Sequence, residues 1–199
     1  MKLLIGTKNQ GKLAEIRQFL TPAALDLLDL SEVGPIDEIP ETGETFAENA
    51  RLKAAGYAKQ AGMYALADDS GLEIKALGGA PGVLSARYGG QNIGYPEKMK
   101  LVLEQLGGTS ENERGARFVC VMAIAAPDGK ILHSAEGICE GNIALAPRGS
   151  GGFGYDPIFI PRGFEGTFGE LDRGIKEQIS HRARAISGIM RFLLDFTHV

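Results

Sequence analysis

Phe118-Val-Cys-Val-Met-Ala-Ile-Ala-Ala126, then Pro127-Asp-Gly-Lys130, then Ile131-Leu-His-Ser-Ala-Glu-Gly-Ile138: this stretch decides the fold class. Two apolar runs joined by a proline–aspartate–glycine turn predict a β-hairpin. Upstream of it, strand and helix patterns alternate. Lys2 to Gly6 predicts a short buried strand, and Lys12 to Leu20 a helix with Leu13, Ile16 and Leu20 on one face. A second strand is predicted over Ala24 to Leu30, followed by an acidic loop, Ser31 to Gly43. Thr45-Phe-Ala-Glu48 is a capping box that opens a helix to about Ala61, with Phe46, Ala50, Ala54 and Tyr57 at helical spacing. Tyr64 to Ala67 predicts a strand that ends in Asp68-Asp69-Ser70-Gly71. Downstream, Pro96 opens a helix that Gly107-Gly108 stops, Ile158 to Ile160 predicts a short strand, and Ser180 a cap for the last helix. Alternation followed by a hairpin predicts an α/β fold with a mixed sheet rather than a purely parallel one. No linker divides the 199 residues, so a single domain over 1–199 is expected.

Composition narrows the function. Apolar residues make up 44% and charged residues 23%, which excludes wholesale disorder. A net charge of −4 argues against a nucleic-acid binder, which would carry a basic footprint. Two cysteines, Cys120 and Cys139, make neither a disulfide framework nor a zinc cluster. The run Phe118 to Ala126 is too short to span a bilayer, and the start, MKLLIGTK, lacks a signal-peptide core. A soluble, cytoplasmic protein with no membrane partner is expected. Half of the 28 glycines crowd into 78–94 and 149–174, beside aromatics and charges, as in loops that let backbone approach a ligand.

Four sets of residues carry chemistry. Gly6-Thr-Lys-Asn-Gln-Gly11-Lys12 joins a strand to a helix, where backbone amides and the positive helix end favour an anion. It has the spacing of a P-loop, but Leu13 stands where the magnesium-holding hydroxyl belongs. Lys8, Asn9 and Lys12 could still contact a triphosphate, and the bland alternative is a polar turn. Glu41, Glu44, Asp68 and Asp69 are carboxylates of the kind that hold Mg²⁺ together with waters and phosphates. Side chains alternate along a strand, so only one of Asp68 and Asp69 need face a given site. Gly149 to Phe159 places Phe153 and Tyr155 among glycines before Asp156, a slot for a flat base or simply a core plug. Lys176, Ser180, His181 and Arg182 gather donors near the start of the last helix, or else form a solvated helix start.

Together these motifs resemble the inosine triphosphate pyrophosphatase family, enzymes that hydrolyse dITP, ITP and XTP. The matching pieces run in order from Thr7 to Lys12, through Glu41-Thr-Gly, Thr45 to Asn49, Ala67 to Gly71, Pro81 to Tyr88 and Gly151 to Phe159, to Ile179-Ser-His-Arg182. The resemblance implies an elongated mixed β-sheet flanked by helices, in two lobes with the active site in the cleft, and a homodimer. It implies that Thr7, Lys8, Asn9, Gln10, Gly11 and Lys12 bind the triphosphate, and that Glu41 and Asp69 hold Mg²⁺, Asp69 also taking the proton. Ser70, Phe153, Gly154, Tyr155, Asp156, Lys176, His181 and Arg182 match the family's nucleotide contacts. Glu177 departs from the family's usual asparagine and brings negative charge near that turn. The expected reaction is attack of water on the α-phosphorus, giving a nucleoside monophosphate and pyrophosphate. A P-loop kinase or NTPase, a nucleotide sensor without activity, and a related family acting on modified pyrimidine nucleotides are the competing readings.

Overall fold

The computed structural model describes residues 1–21, 25–90 and 92–197. Among them, six strands form one mixed sheet in the order β2-β1-β3-β4-β5-β6, flanked by helices. Strands β1 (Lys2–Ile5), β2 (Asp26–Asp29) and β3 (Tyr64–Ile74) are parallel where they pair, and helices α1 (Gln10–Leu20) and α2 (Phe46–Ala61) cross between them. Strands β4 (Gly115–Ala125) and β5 (Ile131–Ile143) follow α3 (Tyr95–Gln105). Their turn is closed by Ala126 N–H on the Lys130 carbonyl and Gly129 N–H on the Ala126 carbonyl. Strand β6 (Phe159–Pro161) pairs antiparallel with β5, and α4 (Arg173–Ile179) and α5 (His181–Thr197) complete the chain. The hairpin and the mixed sheet are therefore as expected. The expected start of β2 at Ala24 lies outside the described residues.

By internal contacts the chain forms two compact units. The first takes the described residues of Met1–Asp69, Cys120–Gly137 and Arg182–Val199, and the second Ser70–Val119 and Ile138–His181. In the first, α1 buries Leu13, Ile16 and Leu20 against Leu3, Ile5 and Leu66 of the sheet, with Ile186, Ile189 and Leu193 from α5. Gly6 ends β1 where a Cβ would stand 2.5 Å from the Tyr57 ring, so the absence of a side chain lets the strand end pack on α2. In the second, Leu72, Ile74, Val102, Leu106, Phe118, Phe159 and Phe168 form the core. The buried Arg114 guanidinium donates there to the carbonyls of Leu106, Ile143 and Ala144 at 2.9–3.1 Å, tying the end of α3 to β5 and the segment after it.

Several expected boundaries move, β4 starting already at Gly115 and β5 running on to Ile143, and two of the shifts bear on the site. Helix α1 starts at Gln10 rather than Lys12, because the Asn9 side chain accepts the Lys12 N–H and caps it. Strand β3 does not end at Asp68 but continues to Ile74. Asp-Asp-Ser-Gly has turn chemistry, and only partners distant in sequence make an extended, buried path possible for it.

Candidate active site

In the first unit the capping box is fully formed: the Thr45 hydroxyl accepts the Glu48 N–H, and the Glu48 carboxylate accepts the Thr45 N–H. This fixes the register of α2, so that Asn49 and Lys53 fall on its buried face beside Phe46, Ala50 and Ala54. Facing them, β3 presents Asp68 and Asp69, both nearly inaccessible. Alternation along the strand separates the two aspartates, as expected. Asp68 Oδ2 lies 2.9 Å from Lys12 Nζ and 3.9 Å from Arg182 Nε. Asp69 Oδ2 accepts from Asn49 Nδ2 at 3.1 Å, while its Oδ1 lies 3.8 Å from Lys53 Nζ. The same ammonium is 2.5 Å from Glu41 Oε1.

The electrostatics divide the pair further. Burial works against ionisation of Asp68, but Lys12, Arg182 and Lys53 outweigh it and hold the carboxyl well below the usual range. Burial raises Asp69, opposed by Lys53, and the Glu41 charge raises it further. For Lys53, burial favours the neutral amine, and the charges of Asp68, Asp69 and Glu41 overcome that and raise its pKa. The surroundings of Asp68 thus favour its charged form, and those of Asp69 favour the proton. Behind them, burial and then the Asp68 charge push the Cys120 thiol up to about 12, which makes it an unreactive core side chain.

The expected phosphate loop is only partly gathered here. Lys12 reaches Asp68, whereas Lys8 pairs with Glu38 on the surface at 2.8 Å. Thr7 Oγ1 accepts the Asn9 N–H, and the exposed Gln10 and half-buried Gly11 begin α1. Leu13 is in the core, so no hydroxyl stands at the P-loop's metal position. Glu44 is exposed, with its N–H on the Glu48 carboxylate. Arg182 is buried rather than solvated, with its Nη1 donating to Glu15.

The second unit holds the aromatic loop. Phe153 is half-buried, its N–H on Asp156 Oδ2 at 2.8 Å. That carboxylate also accepts from Lys176 Nζ at 2.6 Å, and the ammonium sits 4.6 Å from the centre of the Phe153 ring. Gly152, at φ 69°, would place a Cβ only 1.9 Å from Asp156 Oδ2, so this turn requires glycine. The half-buried Gly154 follows with a φ of 71°. Tyr155 plugs the core and donates its hydroxyl to the Ser85 carbonyl at 3.0 Å. His181, directly after Ser180, stacks on Phe118 with ring centres 4.7 Å apart. Ser70 is half-buried on β3. Glu177 is tied to Arg173 at 2.8 Å, which offsets its charge.

Asn49 and Lys53 are site residues that the sequence reading did not single out. The available signal was an amide and an ammonium, four residues apart, on the apolar stripe of α2. Asp68, Asp69 and the Lys53 ammonium are thus buried together where β3 meets α2 in an α/β fold. The Ham1 family model matches residues 3–192. The chain is 43% identical over 192 residues to a dITP/XTP pyrophosphatase of Bacillus licheniformis, covering 96% of this chain and 97% of the relative. It is 48% identical over 189 residues to one of a Nostoc species, covering 94% and 92%. The structure of a HAM1 protein from Coxiella burnetii superposes with a TM-score of 0.90 at 41% identity, covering 98% of this chain and 99% of that one. The chain belongs to the Ham1 family.

Proposed function

We propose that this chain hydrolyses nonstandard purine nucleoside triphosphates (dITP, ITP and XTP) to the monophosphate and pyrophosphate, using Mg²⁺, and so clears them from the nucleotide pool. The observation that carries the reading is that adjacent buried aspartates have separate partners, Asp68 with Lys12 and Arg182 and Asp69 with Asn49 and Lys53, in a chain closely related to proteins called dITP/XTP pyrophosphatases. Glu41 and Asp69 already share one cation, the Lys53 ammonium, at 2.5 and 3.8 Å. Among the described residues no three His, Cys, Asp or Glu side chains form a metal-holding group. Glu41 and Asp69 alone still suit Mg²⁺, which takes one or two carboxylates and fills its shell with waters and phosphates, provided the Lys53 ammonium swings from between them. Glu41 and Asp69 would hold the ion, and when bound it would offset charge on the triphosphate.

Asp69 takes the proton of the attacking water. As the water oxygen bonds to the α-phosphorus, the bond to the bridging oxygen breaks, and pyrophosphate leaves with the electron pair. Lys12 and Lys53 counter the charge on the phosphates. The readings of Thr7 to Gly11 as triphosphate contacts, and of Ser70, Gly154 and Tyr155 as nucleotide contacts, belong to the same proposal. So do a homodimer and a cytoplasmic location; among the described residues no helix is long and apolar enough to cross a membrane. A P-loop mechanism is disfavoured by Leu13.

Base choice follows from donors. In this reading Lys176, which sits over the Phe153 ring, and Arg182 are the cations that meet the base, and both donate and cannot accept. Hypoxanthine and xanthine carry an acceptor oxygen where adenine carries an amino donor. An acceptor oxygen can take a charge-assisted hydrogen bond from these cations that an amino group cannot, worth about 1.5–3 kcal/mol, and each ~1.4 kcal/mol is tenfold. Initial rates on ITP, XTP, GTP and ATP check this: kcat/KM for ITP and XTP should exceed that for ATP roughly tenfold or more. A preference for ATP would refute the base assignment.

A further inference from the structure

Asn49 is completely buried, yet it stands in the second turn of α2. Asparagine is a poor helix former, and a buried amide is costly unless its hydrogen bonds are made. Its bonds go to two places. Oδ1 accepts the Gly43 N–H at 2.8 Å, and Nδ2 faces the Gly43 carbonyl at 3.4 Å and Asp69 Oδ2 at 3.1 Å. The amide orientation follows from its partners, since only oxygen can face an N–H and only nitrogen a carboxylate. Gly43 lies two residues after Glu41. A Cβ there would stand 2.9 Å from Asn49 Oδ1 and 2.6 Å from Glu48 Cβ, so the glycine allows the segment to sit tightly on the start of α2.

One amide therefore touches the Asp69 carboxylate directly and pins the backbone two residues after Glu41. Holding Asp69 Oδ2 fixes the plane of that carboxylate and leaves Oδ1 on the side of Lys53. We propose that Asn49 is a positioning residue that sets the spacing of Glu41 and Asp69 for a divalent cation. This rests on the reading above for its catalytic consequence, but not for its structural one. Lys53 is an electrostatic tie between the same two acids; Asn49 adds direction, because a hydrogen-bonded amide fixes geometry that a point charge does not.

The experiment compares wild type with Asn49→Ala and Asn49→Ser, each checked by circular dichroism and thermal unfolding. Binding of Mn²⁺, standing in for Mg²⁺, is followed by electron paramagnetic resonance without nucleotide, and kcat and KM for ITP are measured separately. Loss of a partner behind a metal ligand weakens metal affinity or activity roughly tenfold or more, so Mn²⁺ affinity should fall by that factor. The kcat should fall with it, KM for ITP should barely move, and excess Mg²⁺ should restore part of kcat. Folded variants with wild-type Mn²⁺ affinity, or a wild type that binds no Mn²⁺, would overturn the inference. A wild type that binds Mn²⁺ in an Asn49-dependent way but releases no pyrophosphate would instead refute the proposed function alone.

Discussion

Asp69→Asn should leave the protein folded and nearly inactive: kcat for ITP falls about 10²–10⁴-fold, the usual loss when a positioned proton acceptor is removed. The substitution keeps size and shape, so Asn49 Nδ2 can still find an oxygen at the same place. It also relieves a disfavoured charge, since burial and the neighbouring Glu41 already raise the Asp69 carboxyl. Stability should therefore change little, with Tm moving by no more than a few degrees, about what 1 kcal/mol produces in a chain of this size. The measurement pairs steady-state kinetics with thermal unfolding. Near-normal turnover by the folded variant would remove Asp69 from the chemistry.

The residue next to it should behave in the opposite way. Asp68→Asn takes away the common counter-charge of Lys12 and Arg182. Leaving a buried cation without its partner typically costs about 3–5 kcal/mol. Lys12 keeps a 16% exposed side chain and can lean toward water, and Arg182 keeps Glu15. The low end, about 3 kcal/mol, is therefore expected, and it lowers Tm by roughly 6–12 °C. Calorimetry on the variant measures it. An unchanged Tm would show that the Asp68 network does not hold the first unit together. The contrast matters more than either value, because two adjacent and chemically identical residues are assigned separate tasks by their surroundings.

Local patterns carried most of the fold. The Thr45/Glu48 box needs only four consecutive residues, and both of its hydrogen bonds form. The hairpin needs one turn between two apolar runs. What did not read out was whatever depends on distant partners. Asp-Asp-Ser-Gly has the composition of a turn, and it is strand because Lys12 and Arg182 on one face, and Asn49 and Lys53 on the other, make burial of its carboxylates tolerable. Arg182 reads in sequence either as a ligand-facing donor or as a solvated helix start, and burial against Glu15 and Asp68 excludes the second. Helix α4 escaped notice because seven residues with a glycine at the second position give no clear period. Of the candidate site, the carboxylates and the aromatic loop could be named from the sequence, whereas the roles of Asn49 and Lys53 could not, because they sit where a helical stripe leads one to expect only core.

The most direct test of the whole account is hydrolysis of ITP in water enriched in ¹⁸O, with mass analysis of both products. Attack on the α-phosphorus, with Asp69 receiving the proton, puts one heavy oxygen into the inosine monophosphate and none into pyrophosphate. Label in pyrophosphate, or release of labelled orthophosphate with the diphosphate left behind, would contradict it.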